Sequence, residues 1–216
     1  MENILSVTRF NFDLLKPYTK SLIFNLCIPI AFTCINRSLS SGISFAMCFI
    51  AMTSSYTFSI SEKNGMDRLY GFLPVSRAHL VLGKYLHLIL LGLGTLIFSL
   101  ITHTLALKAL GITPSFLELS AASFLGITLF TLYIAIQLPG YFKFGYMKGK
   151  VLTFVPVFGF LGIFFLANSV KSVGDTLVIL LTQPITGLIA TLIFVAITLP
   201  ISILISINIV SKKEYI

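Results

Sequence analysis

Long apolar runs separated by short polar breaks set the pattern of this chain. The runs cover about residues 21–35, 43–60, 85–107, 117–138, 151–170 and 184–210. Most approach or exceed the roughly 20 residues with which a helix crosses a hydrocarbon core about 30 Å thick. They lack the alternation of apolar and polar positions that marks the strands of a membrane β-barrel. Six spanning helices are therefore predicted in a single transmembrane domain, residues 1–216. Ahead of them, Ile4, Leu5, Val7, Phe10, Phe12, Leu14 and Leu15 interleave with charged residues. That spacing predicts an amphipathic helix at the membrane interface over residues 1–20, ending near Lys16-Pro17. The same stretch lacks the continuous apolar region and small-residue cleavage site of a signal peptide.

Composition agrees with this pattern. Of 216 residues, 56% are hydrophobic and 10% charged, with a mean hydropathy of +1.00. A soluble domain carries roughly 25% charged residues, so too few are present here to coat a water-facing surface. The net charge of +8 does not indicate a nucleic-acid partner, because the basic residues sit in the breaks between helices. Twelve of the 15 Lys and Arg residues fall on the side of the ladder holding both termini and the loop Glu62–Lys84. Only Arg37, Lys108 and Lys171 fall on the other. Positive-inside bias then places both termini and that loop in the cytoplasm of a multi-pass membrane protein. Cys27, Cys34 and Cys48 lie inside apolar runs and read as small hydrophobes, not a disulfide framework.

Some local features leave two readings open. Ser44, Thr53, Ser54, Ser55, Thr57 and Ser59 dot the second run with hydroxyls, which suit close helix packing or a translocation path. Ala122-Ser-Phe-Leu-Gly126 has the small-xxx-small form of a packing face. Between the fifth and sixth runs, Thr176–Leu181 is apolar but too short to span. It reads as a re-entrant piece or as the start of a sixth helix bent at Pro184, Gly187 and Pro200.

Groups for catalysis at membrane depth are missing. Glu118 and Asp175 fall near the outer boundary, and no acid lies in the middle of a run, although intramembrane chemistry relies on such groups. His103, near the outer end of the third run, reads as hydrogen-bonded packing. His79 and His87 are eight apart, not the four that brings a metal pair onto one helix face. Gly140 and Gly145 have phosphate-loop spacing, but Tyr146 stands where Lys is needed and no soluble strand precedes them. The chain is expected to be no enzyme, with no catalytic, metal or cofactor site of its own.

The loop Glu62–Lys84 is the most mixed interruption. Ser61 is placed to cap a short helix with Glu62 in its first turn. Asn64-Gly65 alternatively turns the chain, so that the helix starts near Met66-Asp67. Pro74 ends it, and Ser76 caps the next helix, which carries Arg77 and Lys84 into the third span. A short exposed helix with aromatic, aliphatic and oppositely charged residues suits a protein-docking surface. It equally suits a topology-setting loop resting on headgroups.

The run Glu62-Lys-Asn-Gly-Met-Asp-Arg-Leu-Tyr-Gly-Phe-Leu-Pro-Val-Ser-Arg, with Leu82-Gly-Lys-Tyr-Leu86 following, resembles the segment after the second helix of ABC-2-type transporter permeases. The nearest likeness is to small six-helix members from Gram-positive bacteria. The resemblance is specific over about 25 residues and extends more loosely to the six-helix layout. It implies an all-α integral membrane fold of type V exporter form, in which two permease subunits, alike or different, build the pore. It also implies a separate ABC ATPase subunit that binds ATP and Mg and docks from the cytoplasm, while the permease lies in a bacterial cell membrane. On that resemblance, Asn64, Gly65, Asp67, Arg68, Leu69, Tyr70, Phe72 and Leu73 form the coupling helix against the ATPase. Pro74, Ser76 and Arg77 form its joint to the third helix. Tyr70-Gly71-Phe72 is bulkier than the small polar residues expected there. The implied function is export of an amphipathic or hydrophobic substrate such as a peptide. The alternative is a non-transporting immunity or sensor protein that binds a cytoplasmic partner through the same loop.

Overall fold

The computed structural model describes residues 2–66, 76–154 and 183–212, and these are helical apart from turns. The helices are α1 (Glu2–Leu15), α2 (Thr19–Asn36), α3 (Leu39–Met52), α4 (Ser54–Lys63), α5 (Arg77–Ala109), α6 (Phe116–Gly149) and α7 (Pro184–Ser211). Five helical stretches are long and apolar enough to cross a membrane: Asn3–Asn36, Leu39–Lys63, Arg77–Ala109, Phe116–Leu152 and Pro184–Ser211. Of the predicted fifth span, 151–170, only residues 151–154 are described, within a 3-10 turn at Lys150–Phe154. The remainder of that span and Thr176–Leu181 lie outside the described residues.

Turn chemistry explains where these helices stop. α2 ends at Arg37, the one positive-φ residue other than glycine among those described, at φ 50°. Ser38 then caps α3 by accepting from the Ser41 N–H. α6 opens with a reciprocal capping box. The Glu118 N–H donates to the Ser115 hydroxyl at 3.2 Å, and the Ser115 N–H donates to the Glu118 carboxylate at 2.9 Å. At about 1.5 Å per residue, the 33 residues of α5 and 34 of α6 are each far longer than a bilayer core. The end of the bundle where the loop Asn64–Ser76 opens is here termed the loop end.

The second span differs from its prediction as one helix over 43–60. It starts four residues earlier, at Leu39, and breaks at Thr53 into α3 and α4. The Thr53 hydroxyl donates to the Ile50 carbonyl at 2.6 Å and its N–H reaches the same oxygen at 3.1 Å. A hydroxyl competing for backbone carbonyls in this way tightens and bends a helix. Thr53, Ser54, Thr57, Ser59 and Ser61 are all buried. Ser54 donates to the Gln137 side-chain oxygen on α6 at 3.0 Å, while Thr57 and Ser61 bond carbonyls of their own helix. Those contacts belong to the packing reading of the hydroxyl-rich run.

α6 is the central element, packed on α3 along one side and on α7 along another. The small-xxx-small face is where α3 crosses it. Ala122 is fully buried, and a Cβ built at Gly126 would lie 3.1 Å from Ile43 and from Met47. α5 and α7 are bolted by hydroxyls: Tyr85 Oη lies 2.6 Å from Ser202 Oγ and 2.9 Å from Ser206 Oγ. Ser202 uses its proton on the Ala135 carbonyl of α6 at 2.8 Å. It therefore accepts from Tyr85, which accepts in turn from Ser206. Replacing Tyr85 with Phe is expected to lower stability by about 0.5–1.5 kcal/mol. Thermal unfolding in detergent measures it, and an unchanged midpoint would remove the bolt from the account. Leu93, Ile97 and Ile101 of α5 and Leu188, Leu192 and Leu204 of α7 are exposed. Such apolar outer faces suit lipid as solvent.

α1 is anchored on the bundle. Its buried positions are Thr8, Asn11 and Leu15, whereas Leu5 is exposed. The helix lies on α5, with Thr8 Oγ1 3.2 Å from the Gly83 carbonyl and the Phe12 ring edge-to-face with His87 at 4.3 Å.

Candidate functional site

The loop end is where α4 stops and α5 begins. α4 runs on to Lys63, so Ser61 is an interior residue and caps nothing, correcting the first reading of the loop. The alternative holds for the turn: the Asn64 N–H donates to Ile60 O at 3.0 Å and the Gly65 N–H to Glu62 O at 3.2 Å, with Gly65 at φ 59°. Asn64 and Gly65 are exposed at the mouth of the loop. Asp67, Arg68, Leu69, Tyr70, Phe72, Leu73 and Pro74 lie outside the described residues. On the far side, Ser76 caps α5 as predicted by accepting from the His79 N–H at 3.3 Å.

Two side chains tie these loop ends to other helices. The Glu62 carboxylate accepts a hydrogen bond from the Tyr146 N–H. That N–H is available because α6 kinks at Gly145, whose φ of 74° and ψ of −179° fall in a region essentially restricted to glycine. The turn beginning at Tyr146 is thus a fresh helix N-terminus, where a carboxylate is favourable. The reading of Glu62 in the first turn of a helix is overturned: it lies in the last turn of α4, and its carboxylate meets the N-terminus of a different helix. At the other end of the loop, Arg77 Nη1 donates to the Ser211 carbonyl at 2.6 Å. Ser211 closes α7, so the guanidinium meets the negative end of that helix dipole. Of the predicted site residues, the structure brings Arg77 to α7 and leaves Asn64, Gly65 and Ser76 at the loop mouth.

Lys84, a loop charge by its place in the sequence, is buried, with Nζ 3.7 Å from the Phe58 ring centroid and 5.7 Å from that of Phe142. A desolvated ammonium between two aromatic faces gains cation–π stabilisation. Val81, Lys84, Tyr85 and Leu88 stand at i, i+3, i+4 and i+7, the face that α5 buries, so the helical period carried that signal. Towards the opposite end, His103 Nδ1 lies 2.7 Å from the Ser99 carbonyl in full burial, as the packing reading of this residue requires. Gly140 and Gly145, the glycines at phosphate-loop spacing, lie within α6, the second of them at its kink.

The fold is that of a multi-pass helical membrane protein whose spans are cross-bolted by buried polar groups. Residues 10–211 match the family described as ABC-2 family transporter protein, and the chain belongs to that family. As a member it is a membrane component of a transporter, not itself catalytic. No curated protein and no solved structure matches the chain.

Proposed function

We propose that this chain is the permease subunit of an ABC exporter with six spans, type V architecture and both termini in the cytoplasm of a bacterial cell. It moves an amphipathic or hydrophobic substrate, a peptide among the candidates, through a pore completed by a second permease subunit. ATP and Mg are bound by a separate ATPase subunit. The observation that carries the reading is the family match over residues 10–211, together with the positive-inside placement of the Glu62–Lys84 loop.

In this mechanism the segment Asp67–Phe72 is the coupling helix. ATP-driven closure of the partner dimer pulls on that segment, and Pro74–Arg77 passes the motion into α5. The two ties add parallel routes, since Glu62 holds the α6 elbow and Arg77 holds the end of α7. A displaced loop would therefore drag three helices together, the rigid-body kind of change that opens a path between subunits. The test is reconstitution with a partner ABC ATPase subunit. Arg68→Ala and Phe72→Ala are each expected to weaken ATPase binding by tenfold or more, truncation of a central interface residue costing about 2 kcal/mol, and to abolish substrate-stimulated hydrolysis. Unchanged binding and hydrolysis in both variants would sink the docking assignment.

A further inference from the structure

At the loop end, residues of α6, Leu152 after it and the end of α7 line a cleft of about 590 Å³, a volume within the range of small-molecule sites. Its walls are apolar, with Phe144, Leu152, Ile205 and Ile209 among them. Leu152 folds back over Gly140, where a Cβ would lie 2.1 Å from its terminal methyl. The absence of that side chain is what admits the leucine to the wall. Two lysines, Lys143 from α6 and Lys212 from the residue after α7, complete the lining; both residues are exposed, and Lys143 Nζ lies 5.2 Å from the Phe144 ring centroid. No carboxylate lines the cleft among the described residues.

We propose that this cleft binds an anionic phospholipid, with an acyl chain against the apolar wall and the headgroup phosphate between Lys143 and Lys212. A purely apolar occupant would leave both ammoniums without function at the cleft, and a free anion would leave the apolar wall facing water. Only an amphiphile with a negative head at the membrane boundary matches both parts, and basic pockets between spanning helices bind such headgroups. The site joins the two segments to which the loop ends are tied, because Lys143 lies beside the Tyr146 elbow and Lys212 follows Ser211. A seated lipid would wedge α6 and α7 at a fixed separation. The proposal rests on the membrane embedding of the chain and not on ATPase docking.

The test uses the full chain in detergent, titrated with phosphatidylglycerol, with phosphatidylcholine and with inorganic phosphate. Binding is read by native mass spectrometry and by the thermal midpoint. Phosphatidylglycerol is expected to bind and raise the midpoint, and the other two to leave it unchanged. Lys143→Gln/Lys212→Gln is expected to weaken phosphatidylglycerol binding roughly thirtyfold, the square of about 5.4-fold for each ammonium near an anionic headgroup. Lys148→Gln/Lys150→Gln, with the same loss of charge nearby, is expected to keep it. Should the first variant fold poorly, Ile209→Trp, which fills the cleft and keeps both ammoniums, must also lose the lipid. Equal response to phosphatidylcholine, reproduction by inorganic phosphate, or equal loss in both lysine pairs overturns the proposal.

Discussion

Gly42→Ala is expected to lower the thermal midpoint by roughly 5–10 °C. The added Cβ would stand 1.6 Å from the Thr33 hydroxyl and 2.7 Å from His103 Cδ2, so α2, α3 and α5 cannot keep their crossing. Overpacking of this kind costs about 1–3 kcal/mol or more, and a chain of this length loses about 2–4 °C per kcal/mol. The clash also disturbs the Thr33 hydroxyl, which donates to the Pro29 carbonyl at 3.0 Å. Combining the change with Thr33→Ala removes the closest atom, so the double variant is expected to regain part of the loss as coupled neighbours do. Unfolding of both variants in detergent measures this. An unshifted midpoint for Gly42→Ala would mean that α2 and α3 do not cross as closely as described.

The second large effect is expected at the elbow of α6. Gly145→Ala places a side chain at φ 74°, costing about 1–3 kcal/mol in backbone strain, and sets a Cβ 3.1 Å from a Glu62 carboxylate oxygen. Glu62→Ala leaves the backbone unstrained and removes only the cap, worth about 0.5–2 kcal/mol. Hydrogen exchange over residues 143–149 should therefore quicken roughly fivefold to a hundredfold for Gly145→Ala, and less for Glu62→Ala. The bundle core is remote from the elbow, so the global midpoint should move little. If the elbow is a force path, both variants should also uncouple ATP hydrolysis from transport while leaving ATPase binding intact. Faster exchange without uncoupling would keep the tie and remove its transmission role.

Parts of this site were visible in the residues and parts were not, for identifiable reasons. Ser76 and the Asn64-Gly65 turn were legible because caps and turns are local, decided by groups within four residues of each other. Ser61 was misread because a serine that can cap a helix can equally bond back to its own carbonyls, and only the onward path of α4 decides between them. The break at Thr53 has the same origin. The bonds from Glu62 to Tyr146 and from Arg77 to Ser211 join residues 84 and 134 apart, and no spacing rule reaches across such distances.

The chain alone determined that this is a helical membrane protein and where four of its spans lie. Those properties follow from transfer energies and from periods of a few residues, which act position by position along the chain. Tertiary structure decided which polar groups meet. It set Lys84 between Phe58 and Phe142, turned the hydroxyls of α3 and α4 inward, and tied the ends of the loop to α6 and α7. It had to, because in a bundle whose apolar surface faces lipid on most sides, hydrophobicity says only that a helix is embedded. The relative placement of the helices rests on close approach at small residues and on a few long-range hydrogen bonds.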